Sequence, residues 1–165
     1  MTVHTGTTSA TGTTSPAAAN SATSATSTAA AFSASTTEEK LGWLVQGLLT
    51  RTPGARHALV LSRDGLKLCS TPELSVDQAD HLAAIAAGIQ ALSHGASLQF
   101  GDGTGDVRSA MTEFYGGILF IVEAGEGAHL ALVTAEDADA GLVGHNMGQL
   151  VEQLDGHLSA PPRTP

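Results

Sequence analysis

His57-Ala-Leu-Val-Leu-Ser-Arg-Asp-Gly-Leu-Lys-Leu-Cys69 is the stretch on which the reading of this chain turns. Two short apolar runs, Ala58–Leu61 and Leu66–Cys69, flank the polar Ser62-Arg63-Asp64-Gly65. Asp-Gly between apolar runs marks a β-hairpin, because a type I′ turn needs positive φ at both central residues. The stretch holds no nucleophile paired to a base and no metal cluster, so its value lies in placing its neighbours.

Upstream, Leu41, Leu44, Val45, Leu48 and Leu49 recur at helical spacing. Thr36 and Glu39 stand at capping-box distance, and Pro53-Gly54 ends that helix. Downstream, Thr71-Pro72 closes the second strand, and Ser75-Val-Asp-Gln78 forms another capping box. The helix it starts is expected to run to about Gly95, with the stripe Leu82, Ile85, Ile89 and Leu92 set toward the sheet. After the loop Gly101-Asp-Gly-Thr-Gly-Asp106, the runs Val107–Tyr115, Gly117–Glu123 and Ala128–Thr134 read as a meander joined by Gly-rich turns. Ile118-Leu-Phe-Ile-Val122 is continuously apolar, the pattern of a strand buried on both faces. A last helix spans about Asp139–Leu158, with Val143, Met147, Leu150, Val151, Leu154 and Leu158 on one side. The order α-β-β-α-β-β-β-α predicts an α/β chain of the α+β type. It has a five-stranded, mainly antiparallel sheet with helices on both faces.

Residues 1–37 contain no Asp, Glu, Lys or Arg and are almost wholly Thr, Ser, Ala and Gly. Such a composition buries too little apolar surface to offset ordering entropy. A disordered tail over 1–36, a folded domain over 37–158 and a flexible end over 159–165 are therefore expected. The tail lacks the basic start and apolar run of a secretory signal, and no run of about 18 apolar residues occurs, so a cytoplasmic location is expected. All 16 acidic residues fall between Glu38 and Asp155, against six basic ones from Lys40 to Arg108. That balance argues against nucleic acid and anionic membranes as partners. The lone Cys69 sits in an apolar strand and reads as a buried, inert thiol.

The element order, together with Gly54-Ala-Arg-His-Ala-Leu-Val-Leu-Ser-Arg-Asp-Gly-Leu66 and the Ala-rich helix after it, resembles the roadblock family of dynein light chain-like domains. The resemblance covers roughly Thr37–Leu158. With its Ser/Thr-rich tail, the chain is most similar to the roadblock proteins of actinobacterial conservons, relatives of bacterial regulators of Ras-like GTPases. The resemblance implies a homodimer built on the second helix and third strand. It also implies binding of a Ras-like small GTPase, in some members with stimulated GTP hydrolysis, alongside a sensor kinase-like protein.

The second helix says something on its own. Its only certain charge from Gln78 to Gly95 is Asp80. The surface opposite and beside the expected stripe carries Asp80, Ala84, Ala87, Gly88, Ala91 and Gly95, small and nearly uncharged where Lys and Glu are usual. Such a face is either a passive surface made of a good helix former or a contact surface for a dimer mate or partner. Gly88 favours contact, because Gly costs about 1 kcal/mol against Ala inside a helix.

Other candidates fail on spacing. The Gly101–Asp106 loop lacks the Gly-Lys-Ser/Thr of a phosphate loop and holds too few carboxylates for calcium, so it reads as a flexible connector. The seven histidines are scattered, with His81 and His94 thirteen apart, and give no metal site. His57 reads as a partly buried structural residue. Glu113 and Glu123 lie on different meander strands where they are able to oppose one another, and read as solvated edge carboxylates. Arg63 and Arg108, the candidates for an inserted arginine, read as ordinary surface charges. No catalytic residue, cofactor motif or convergent polar cluster marking a pocket emerges. With what the resemblance implies, the reading is a noncatalytic homodimeric adaptor of a Ras-like GTPase. A scaffold without effect on nucleotide turnover, or a PAS- or profilin-like small-ligand sensor, are the alternatives.

Overall fold

The computed structural model describes residues 38–125 and 127–158, the side chains of 156–158 excepted. The capping residue Thr36, the tail read over 1–36 and the end read over 159–165 lie outside the described residues.

The first helix, α1, is described over residues 38–51. It is followed by β1 (Ala55–Leu61), β2 (Lys67–Ser70), α2 (Val76–Phe100), β3 (Ser109–Phe114), β4 (Gly117–Glu123), β5 (His129–Thr134) and α3 (Ala140–Leu158). The five strands form one sheet in the order β2-β1-β5-β4-β3, and every neighbouring pair is antiparallel. The expected element order is the observed one.

Strand alternation divides the core into two layers. Ala58, Val60, Ile118, Phe120, Leu130 and Leu132 face α1 and α3, meeting Leu44, Leu48, Met147 and Leu150. Leu59, Leu61, Leu119, Ile121 and Ala131 face the other way and meet Ala83 and Ala86 of α2. Successive residues of β4 thus enter opposite layers, which is why its apolar run is unbroken. On the first layer, Asn146 of α3 is buried and donates to the Arg51 carbonyl (3.2 Å) and the Thr52 hydroxyl (3.1 Å), joining α3 to the end of α1.

Four local expectations are corrected. The β1–β2 hairpin is not a two-residue type I′ turn. Gly65 N–H donates to the Ser62 carbonyl, Ser62 N–H donates to the Leu66 carbonyl, and Gly65 itself takes φ 84°. The loop is therefore three residues long, Arg63 to Gly65, with glycine in its left-handed position. The first meander strand is shorter than Val107–Tyr115, because the hydrogen bonds that hold residues 105 and 106 to α2 keep the chain from joining the sheet until Ser109. Glu113 and Glu123 do not oppose each other: register places Glu113 across from Ile118 and Glu123 across from His129.

The fourth correction concerns α2. Its start is as read, with Ser75 and Gln78 exchanging both capping-box bonds. Its end lies at Phe100 and not near Gly95, because nothing between them breaks the helix and Gly101 supplies the cap, donating to the Ser97 carbonyl. Its orientation differs too. Ala79, Ala83 and Ala86 face the sheet, all but fully buried, while Ile85 and Leu92 are exposed and Leu82 and Ile89 only half-buried. The sheet presents Leu59, Leu61, Leu119 and Ile121 at this layer, so Ala83 and Ala86 make the closest fit while Leu82 and Ile89 pack against the same layer only in part.

Candidate interaction face

The rotation of α2 sets what it shows outward. Asp80, Ala84, Gly88, Ala91 and Gly95 are exposed, and Ala87 is half-buried beside the hairpin, where a Cβ on Gly65 would press on its methyl. Among these small residues stand Ile85, 51 % exposed, and Leu92, 78 % exposed. Positions 84, 85, 88, 91, 92 and 95 follow helical spacing and share one side. The result is two large apolar knobs set among shallow gaps, the surface pattern of a helix that packs against another helix. Asp80 reaches Lys67 of β2 at 3.5 Å, a long pair whose carboxylate is exposed to solvent, so it adds little energy.

Gly88 and Gly95 carry a further message. A Cβ at either position would meet nothing within 4 Å. Each glycine weakens the helix by about 1 kcal/mol relative to Ala, and packing among the described residues has no use for the space it leaves.

The exposed apolar surface continues onto β3. This strand closes one side of the sheet, so its outer backbone N–H and C=O groups have no strand partner among the described residues. Met111, Phe114 and Tyr115 are exposed along it, as are Leu98 and Phe100 at the end of α2. An open edge lined with large apolar side chains is a template for pairing with another chain. Sequence reading misses Ile85, Leu92 and the β3 residues. Helical periodicity assigns the first two inward, and no strand order is available from sequence to show that β3 is an edge.

Elsewhere the chemistry is quiet. Cys69 is buried, and that burial pushes its thiol up to about 11, as expected of an inert residue. Asp102 accepts from the Thr104 amide (3.1 Å) and hydroxyl (2.8 Å), and these bonds hold its carboxyl below the usual range. The loop read as a flexible connector is fastened to α2: His94 Nδ1 lies 2.6 Å from the Gly105 carbonyl, and the Ser97 hydroxyl donates to the Asp106 carbonyl. Contrary to the sequence reading, polar side chains do converge. Arg63, Gln90, His94, Asp106, Glu123 and His129 line a cleft of about 500 Å³ beneath that loop. Among the described residues no group of His, Cys, Asp and Glu is arranged to hold a metal ion, and no helix is long and apolar enough to cross a membrane.

Comparison with known proteins fits this architecture. Residues 41–134 match the Roadblock/LC7 domain family. A Roadblock/LC7 domain from Streptomyces avermitilis is 39% identical, superposes with a TM-score of 0.68, and pairs 71% of this chain with 96% of its own. A second Streptomyces Roadblock/LC7 domain is 35% identical, with a TM-score of 0.57, over 68% of this chain and 96% of that one. The gliding protein MglB of Thermus thermophilus is 27% identical, with a TM-score of 0.63, over 73% of this chain and 90% of that one. No curated protein matches the chain.

Proposed function

As the chain belongs to the Roadblock/LC7 family, we propose that it is a noncatalytic, homodimeric regulator that binds a Ras-like small GTPase in the cytoplasm and modulates its GTP hydrolysis or localisation. The GTPase partner is what the family resemblance implies. The observation that carries the reading is the outward side of α2. Its two apolar knobs, its glycines without a packing role among the described residues and the neighbouring edge strand, unpaired among them, are all features that a second chain satisfies. Two copies of α2 laid against each other place Ile85 and Leu92 of one over the gaps at Ala84, Gly88, Ala91 and Gly95 of the other. The two β3 edges then continue the sheet. We take any effect on hydrolysis to be exerted through the partner's own groups; Arg63, one of the two candidate arginines, lies back against Gly127.

The test is GTP turnover and co-precipitation of a Ras-like GTPase encoded beside this chain, with wild type and with Ala84→Arg and Gly88→Arg. Wild type retains the GTPase or changes its turnover, and the two variants, folded as judged by circular dichroism, do not. A GTPase neither retained nor altered by wild type contradicts the proposal.

A further inference from the structure

Where α2 meets β5, two polar side chains face each other inside the protein. Gln90 is 7 % exposed, and its amide nitrogen lies 3.3 Å from Nδ1 of the half-buried His129. An amide nitrogen only donates, so Nδ1 is the acceptor and the neutral ring carries its proton on Nε2. The Gln90 carboxamide oxygen is fully enclosed and accepts no hydrogen bond. A buried acceptor left unpaired is unfavourable, and neither solvent nor a ligand reaches this one, so any donor comes from within the fold. His129 is the neighbour able to become that donor. Once protonated, both its ring nitrogens carry hydrogen, and Nδ1–H against the amide N–H would set donor against donor. Turning the carboxamide over exchanges O for NH2, groups of nearly the same size, so the packing is unchanged and the oxygen meets the new N–H.

The other groups round the ring set the balance. Glu123 stands across from His129 on β4 and favours the imidazolium. Arg63 of the hairpin opposes it, as does burial, which holds the ring below its ordinary 6.5. His94 and Asp106 line the same cleft, and β1 contributes the apolar Leu61. We propose that His129 and Gln90 form a two-position proton latch between β5 and α2. The neutral ring accepts from the Gln90 amide, and the imidazolium donates to the Gln90 oxygen after the carboxamide turns over. The hydrogen bond that joins helix to sheet is thereby kept in both states. Both residues belong to one chain, so the latch is independent of the dimer reading.

The experiment follows the full-length, ¹⁵N-labelled protein by NMR from about pH 8 to about pH 4, the range that brackets histidine titration. At the upper end His129 is protonated on Nε2, with a coupling across the bond from Gln90 Nε2 to His129 Nδ1. His94, whose Nδ1 lies 2.6 Å from the Gly105 carbonyl, is protonated on Nδ1 and serves as the reference for the opposite tautomer. As pH falls the coupling disappears, and the Gln90 amide protons shift with the midpoint of the His129 ring. Gln90→Met removes the acceptor that the imidazolium uses. The proton affinity of His129 then falls by about threefold to tenfold, since hydrogen bonds of charged groups outweigh neutral ones. Four results overturn the proposal: a neutral His129 protonated on Nδ1, a ring that takes up no proton before the protein unfolds, a Gln90 amide unmoved while His129 titrates, or a His129 midpoint unchanged or raised in Gln90→Met.

Discussion

Exchanging sizes across α2 tests the helix orientation directly: Ala83→Leu on the inner side and Leu92→Ala on the outer. Ala83 is 1 % exposed and packs in the layer of Leu59, Leu61, Leu119 and Ile121. Three added carbons have no space there, and overpacking of this kind costs about 1–3 kcal/mol. Leu92 is 78 % exposed, so only about a fifth of its surface is covered within one chain. With full burial of a Leu worth about 1.5–3 kcal/mol, truncation removes at most about 0.3–0.7 kcal/mol. Leu48, fully buried between α1 and the sheet, is the calibrating control, and Leu48→Ala costs about 2–5 kcal/mol. Urea unfolding followed by circular dichroism measures all three. It is repeated at falling protein concentration, because a self-associating chain gains stability by mass action and Leu92→Ala also weakens that term. In the dilute limit Ala83→Leu is clearly destabilised and Leu92→Ala nearly neutral. The reverse, with Leu92→Ala losing more than about 2 kcal/mol and Ala83→Leu unaffected, would mean that the large residues face the sheet and that the account of α2 is wrong.

Two further outcomes follow from buried titratable groups. Burial holds the His129 imidazole below its ordinary 6.5, against the opposing pull of Glu123 and with help from Arg63. The unfolded chain therefore takes up this proton first as pH falls, so the contribution to stability is full above the unfolded value and lost downward through the folded one. Melting temperatures from about pH 8 to about pH 5 fall less steeply in His129→Gln than in wild type, and identical slopes contradict this. Cys69, its thiol buried and raised to about 11, reacts with a thiol reagent at about pH 8 only as fast as the protein opens. Reaction is rapid once the chain is unfolded in guanidinium, and a fast phase in the native protein contradicts the assignment.

Local chemistry made most of the fold legible. The Asp-Gly turn, the Ser75–Gln78 capping box and the unbroken apolar run of β4 each follow from rules that act within a few residues. The hairpin was legible but its turn type was not, since Arg63 to Gly65 span the loop and Gly65 takes its left-handed position. What periodicity could not decide is which of two interleaved stripes on α2 faces inward. Of the larger residues, Leu82 and Ile89 pack partly against the sheet as expected, but Ile85 and Leu92 face outward, because the sheet supplies the bulk and Ala83 and Ala86 fit against it. The small outward residues were legible because missing charge is visible in one sequence. Ile85 and Leu92 were not, because their exposure depends on that packing choice. The cleft beneath the 101–106 loop was illegible for a different reason: its polar residues come from the hairpin, α2, the loop and two strands.

The central claim is that the outward side of α2 joins two copies of this chain. Sedimentation equilibrium on wild type and Gly88→Arg tests it most directly, since the site of the added side chain is open within one chain and the fold has no reason to suffer. The account predicts twice the mass of a single chain for wild type and a single chain's mass for Gly88→Arg, with equal helix content. A wild type that stays monomeric at high concentration, or a Gly88→Arg that dimerises as tightly as wild type, would contradict it.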